Sequence, residues 1–103
     1  MLHAFFSDLV VERAEKAFYA GADGVIASPL ESKSIRNLNS ASGKIIITPG
    51  VRPEGSDLGD QKRVSSPSDA LKNGANHIVV GRPITKSSNP KRAAQNILNE
   101  IKR

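Results

Sequence analysis

The three apolar runs Val25-Ile26-Ala27, Ile45-Ile46-Ile47 and Ile78-Val79-Val80 constrain this chain more than any other feature. They are continuous and mostly β-branched, with no alternation of apolar and polar positions. Strands covered on both faces read this way, as in a parallel sheet flanked by helices. What lies between the runs agrees.

Ser28-Pro29-Leu30-Glu31 offers a capping serine, a proline at the first helical position and a glutamate to complete a capping box. Ser66-Pro67-Ser68-Asp69 repeats the device with aspartate. Asn89-Pro90 opens a last helix in which Ala93, Ala94, Ile97, Leu98 and Ile101 recur at helical spacing. An earlier helix is predicted to begin near Asp8, bury Val10, Ala14, Ala17 and Phe18, and stop at Gly21. A weak repeat links Gly21-Ala22-Asp23-Gly24-Val25-Ile26 to Gly74-Ala75-Asn76-His77-Ile78-Val79: glycine ends a helix, a short link follows, then a buried strand. The predicted order is α-β-α-β-α-β-α, three parallel strands alternating with four helices. Alternation alone does not choose between an open sheet and a closed barrel. The chain begins with a helix, as though a preceding strand had been cut away.

A chain of 103 residues is one domain at most, residues 1–103, and is short for this alternation. With 38% hydrophobic and 24% charged residues it has the composition of a folded globular protein. The absence of cysteine excludes disulfides, thiolate metal sites and cysteine nucleophiles, and fits a reducing cytosol. No basic run precedes a long apolar stretch, and no segment approaches the roughly 18 apolar residues of a membrane span. The expectation is a soluble, cytoplasmic protein with no membrane partner.

The formal net charge is +5, and its location matters more than its size. From Lys86 onward stand five cations (Lys86, Lys91, Arg92, Lys102, Arg103) against Glu100 alone, so this segment carries +4 of the +5. Cations favoured by a helix C-terminus on a solvated face are the simplest explanation. With 4% aromatic residues there are few rings to stack on bases, and no nucleic-acid partner is expected.

Two segments stand out as candidates for binding. Thr48-Pro49-Gly50-Val51-Arg52-Pro53-Glu54-Gly55-Ser56-Asp57-Leu58-Gly59-Asp60-Gln61-Lys62-Arg63-Val64-Ser65 follows a strand and precedes a helix. Such connections usually have about two to six residues, and long ones tend to be lids or binding loops; a solvated insertion is the plain alternative. The second is Val80-Gly81-Arg82-Pro83, at the end of the last strand. Glycine lets backbone approach a ligand, and the guanidinium presents a planar fork to phosphate oxygens. The dipeptide is common, but its position counts: in parallel α/β folds, ligand sites gather at strand C-terminal ends. His3 and His77 stand far apart without a third ligand and indicate no metal site. Ser28 is a helix cap rather than a nucleophile, and neither a Walker loop nor a dinucleotide fingerprint is present.

Taken in order, Gly24-Val25-Ile26-Ala27-Ser28-Pro29-Leu30-Glu31, Thr48-Pro49-Gly50-Val51-Arg52-Pro53, Gly59-Asp60-Gln61-Lys62-Arg63-Val64 and Val79-Val80-Gly81-Arg82-Pro83-Ile84-Thr85 resemble the orotidine 5'-phosphate decarboxylase family. The two middle blocks are specific, whereas other phosphate-binding barrels share the last one loosely. The resemblance covers the chain from about Val10 to its end. It implies the C-terminal part of a (β/α)8 barrel: strands six to eight with helices five to eight. It also implies a dimeric enzyme that makes UMP from orotidine 5'-phosphate without cofactor or metal. By matching position, Arg52 and Gln61 lie in the seventh loop and contact the nucleotide, while Gly81 and Arg82 close the phosphate site. No catalytic residue carries over. The family's reaction centre is a lysine–aspartate array in a motif like Asp-x-Lys-x-x-Asp-Ile, and this sequence has no such motif.

The leading expectation is therefore the phosphate-binding part of this decarboxylase, active only with an N-terminal half polypeptide carrying the earlier strands. The rival is a non-catalytic phosphate-binding or interaction module derived from the same family. A third reading, decarboxylation of a different sugar phosphate, is disfavoured by the Arg52 and Gln61 blocks. The isolated chain is expected to self-associate, because three parallel strands leave open edges and an uncovered inner face.

Overall fold

A computed structural model of the chain describes residues 2–53 and 65–102. The elements follow in the order α1 (Leu2–Tyr19), β1 (Gly24–Ile26), α2 (Pro29–Arg36), a 3-10 turn (Asn39–Ala41), β2 (Ile45–Thr48), α3 (Pro67–Lys72), β3 (His77–Ile78), α4 (Arg82–Thr85) and α5 (Pro90–Ile101). The strands form one parallel sheet in the order β1-β2-β3. The four expected helices are present, and α4 adds a fifth that is a single turn. Boundaries differ from expectation by one residue in β1, which runs from Gly24 to Ile26, and in β2, which extends to Thr48, and by more in two other elements. Helix α1 begins at Leu2 rather than near Asp8, and β3 covers His77–Ile78 rather than Ile78–Val80.

Serine and asparagine caps explain where the later helices start. Ser28 Oγ accepts from the Leu30 N–H at 3.2 Å, Ser66 Oγ from the Asp69 N–H at 3.2 Å, and Asn89 Oδ1 from the Arg92 N–H at 3.1 Å. Each cap is followed by proline, whose missing N–H costs nothing at that position. Glu31, expected in a capping box, is only 1% exposed, and its carboxylate accepts from Ser7 Oγ of α1 at 3.3 Å. It thereby ties α1 to α2. Gly21 and Gly74, the two glycines of the sequence repeat, both have left-handed φ near +105° (106° and 104°), as helix-ending glycines do.

Register assigns the side chains to faces. Gly24, Val25 and Ile26 pair with Ile45, Ile46 and Ile47, and Ile47 and Thr48 pair with His77 and Ile78. Ile46 therefore points with Val25 toward the helices, where Ala14, Phe18, Ala27, Ile35 and Ala41 complete a core. The opposite face is uncovered: Ile26 is 75% exposed, Val79 51% and Ile45 43%. Three parallel strands with helices on one face and bare β-branched side chains on the other form an incomplete barrel, whose interior layer lacks an opposing wall.

One arginine holds the N-terminal end of the sheet. Arg36 Nε donates to Gly74 O at 3.1 Å, and its Nη1 donates to Ala41 O at 3.1 Å and Lys44 O at 2.9 Å. Its Nη2 donates to Asn76 Oδ1, which also accepts from the Ile46 N–H at 2.8 Å. A Cβ on Gly74 would overlap the Arg36 stem, so the glycine is needed for packing as well as for φ. Arg36→Ala should cost about 3 kcal/mol, because these charge-assisted bonds are made by one group to four acceptors. Urea unfolding checks this, with exposed Lys33→Ala on the same helix as a control that should stay within about 0.5 kcal/mol.

Candidate functional site

The Arg52 segment is built outward from the C-terminal end of β2. Thr48, fully buried, hands the chain to Pro49-Gly50, and Gly50 takes φ of 72°, which a side chain resists. The turn sends Val51 inward, where it is 2% exposed. Val51 forms a parallel bridge with Ser65, and the Arg52 N–H donates to Ser65 O at 2.9 Å. The chain thus leaves β2 and returns toward α3 through one pinned neck. Arg52 is half-buried.

The second segment starts beside it. The Val79 N–H donates to Thr48 O at 2.9 Å, so the ends of β2 and β3 lie side by side. Gly81 follows and caps α4, its carbonyl accepting from the Ile84 and Thr85 N–H groups at 3.0 Å each. Among the described residues nothing lies within 4 Å of where a Gly81 Cβ would stand. Packing among the described residues therefore does not demand glycine at this position. Arg82 opens α4, half-buried.

The fold thus carries Arg52 and the Gly81–Arg82 pair to the same end of adjacent strands. Gln61, the fourth residue singled out from sequence, lies outside the described residues. His77 begins β3, exposed, and among the described residues no group of three or more His, Cys, Asp or Glu gathers to hold a metal. No described helix is long and apolar enough to cross a membrane. Sequence reasoning missed the Val51–Ser65 neck, although the Pro49-Gly50 dipeptide, a turn signal, was available to suggest it.

The C-terminal cations are placed differently from expectation. Lys91 and Arg92 stand in the first turn of α5, after the Asn89 cap, and Lys102 follows the last turn. Two of the five therefore oppose the helix macrodipole instead of complementing it.

Parallel strands flanked by helices, with Arg52 after β2 and Arg82 opening α4 beyond β3, fit a portion of a (β/α)8 barrel. Comparison with known proteins narrows the class. A family model described as orotidine 5'-phosphate decarboxylase / HUMPS family matches residues 6–97, and the chain belongs to that family. A relative from Ruegeria pomeroyi named orotidine 5'-phosphate decarboxylase is 58% identical over 94 residues, covering 91% of this chain and 39% of the relative. One of the same name from Jannaschia sp. is 56% identical over 94 residues, covering 91% and 41%. Among solved structures, the orotidine 5'-phosphate decarboxylase from Lactobacillus acidophilus aligns with a TM-score of 0.76 at 38% identity, over 95% of this chain and 38% of its own. That from Pyrococcus horikoshii OT3 gives 0.72 at 33% identity, over 93% and 43%. The 103 residues span about two fifths of these relatives.

Proposed function

We propose that these residues form the phosphate-gripping part of an orotidine 5'-phosphate decarboxylase and leave the bond-breaking step to residues outside them. In this reading the barrel portion, residues 1–103 as one partial domain, serves UMP synthesis in the cytoplasm. Its ligand is a nucleoside monophosphate, orotidine 5'-phosphate or UMP. Arg52 and Gln61 engage the nucleotide, and Gly81 and Arg82 close on the phosphate: the glycine admits the oxygens and the guanidinium binds them in a fork. Neither cofactor nor metal is called for.

The observation that carries the reading is the Val79–Thr48 bond between strand ends, which sets the Arg52 neck beside Gly81–Arg82. Grip alone does not accelerate a reaction; an interaction must strengthen in the transition state to do so. The lysine and aspartates of the family motif must come from further strands, in the same polypeptide or another, and those strands would also cover Ile26, Ile45 and Val79.

Arg82→Ala should weaken UMP binding by about 10- to 150-fold, the equivalent of a charge-assisted hydrogen bond worth roughly 1.5–3 kcal/mol. Gln61→Ala should act in the same direction. Calorimetric titration with UMP, beside Lys44→Ala at the opposite end of β2, tests this. Equal losses in Arg82→Ala and Lys44→Ala would mean diffuse charge attraction and no site.

A further inference from the structure

We infer that Lys86, Lys91 and Arg92 form a cationic approach that steers phosphate-bearing anions toward Arg82 without contacting them once bound. The inference deepens the phosphate-site reading and rests on it. Lys86 is one helical turn beyond Arg82, its N–H donating to Arg82 O at 2.9 Å. Three residues later Asn89 caps α5, which packs against α4, and Lys91 and Arg92 follow at once. All three cations are exposed, and none forms an ion pair among the described residues.

Their arrangement is electrostatically uneconomical for folding. The first turn of α5 holds no acid, and both of its cations face the positive end of the helix. The positions a turn further along from Lys91 and Arg92 are Gln95 and Asn96, which supply no counter-charge. Like charges concentrated on one corner raise the local concentration of an oppositely charged ligand and its rate of encounter. A nucleoside monophosphate, carrying close to two negative charges on its phosphate, is the class of ligand such a field favours. Rim charges of this kind act on association and its salt dependence, whereas contact residues act on dissociation.

The test is stopped-flow binding of a fluorescent UMP analogue to the barrel co-refolded from the chain and a polypeptide carrying the preceding strands, with the chain either wild-type or Lys86→Gln/Lys91→Gln/Arg92→Gln. Removing cations from the first turn relieves α5, so the triple variant should fold at least as well. Association should slow about five- to tenfold at roughly 10 mM ionic strength, where screening extends over about 30 Å. At 1 M salt, with a screening length of about 3 Å, the difference should shrink below about 1.5-fold. Dissociation should not change. Arg82→Ala should instead speed dissociation at both salt concentrations. Unchanged association of the triple variant at low salt would overturn the inference, as would an equal slowing by Lys44→Gln, while an intact Arg82→Ala effect would leave the phosphate site standing. If the co-refolded barrel with the wild-type chain shows no saturable binding, the site reading fails and the steering with it.

Discussion

Orotidine 5'-phosphate incubated with the purified 103-residue chain should keep its absorbance, with no decarboxylation above the uncatalysed rate. Enzymes typically accelerate their reactions by about 10⁶-fold or more, and the expected effect is the loss of all of it. The reason is chemical. A carbanion left by departing CO2 needs a cation beside it and then a proton, which the family takes from a lysine held between aspartates. The nearest approach to that motif is Asp60-Gln61-Lys62-Arg63-Val64-Ser65, where serine stands in place of the second aspartate. In the proposed reading Arg52 and Arg82 grip the phosphate and take no part in that proton transfer. Turnover by the chain alone, followed spectrophotometrically and abolished by Lys62→Ala, would show that these residues hold chemistry of their own.

The second large effect concerns the bare face of the sheet. Ile26, Ile45 and Val79 are 75%, 43% and 51% exposed, and all three lie on the face away from the helices. Covering three such side chains is worth roughly 1.5–3 kcal/mol each, a sum that rivals the 5–15 kcal/mol stability of a typical domain. The free edges of β1 and β3 add backbone groups ready to pair. In isolation the chain should therefore sediment as oligomers, or show helical far-ultraviolet circular dichroism with weak near-ultraviolet signal. Ile26→Lys/Val79→Lys should shift it toward monomer by making the face repel itself. A compact wild-type monomer with a sharp, cooperative melt would contradict this and favour a self-sufficient binding module.

Much of this was legible in the sequence because local chemistry decides it. Ser28, Ser66 and Asn89 announce their helices through side-chain oxygens that find N–H groups two or three residues on. The β-branched runs mark the strands because only a sheet buried on both faces calls for them. The last run reads long, since Val79 bonds to Thr48 but the chain then leaves the ladder toward Gly81. Helix α4 was not legible: four residues carry no periodicity, and Pro83 alone does not distinguish a helical turn from a loop. Arg36 gave no signal either, because its acceptors at Ala41, Lys44, Gly74 and Asn76 become neighbours only when the sheet forms. Glu31 reads as a local cap in the sequence, and its carboxylate makes a long-range contact to Ser7. The proposed site was suggested by its glycine and arginines, but the Val51–Ser65 neck depends on pairing across the long connection and on Gly50, which turns Val51 inward.

The central claim is that grip and chemistry lie on different parts of one barrel, and complementation measures this directly. The chain would be mixed, by co-refolding, with a polypeptide from a related decarboxylase that carries the preceding strands and the Asp-x-Lys-x-x-Asp motif. Loss of orotidine 5'-phosphate absorbance would then be followed. The expected result is turnover by the mixture, none by either part, and a steep fall when the chain carries Arg82→Ala. Turnover indifferent to Arg82→Ala, or a soluble, folded mixture that binds UMP and never turns over, would contradict it.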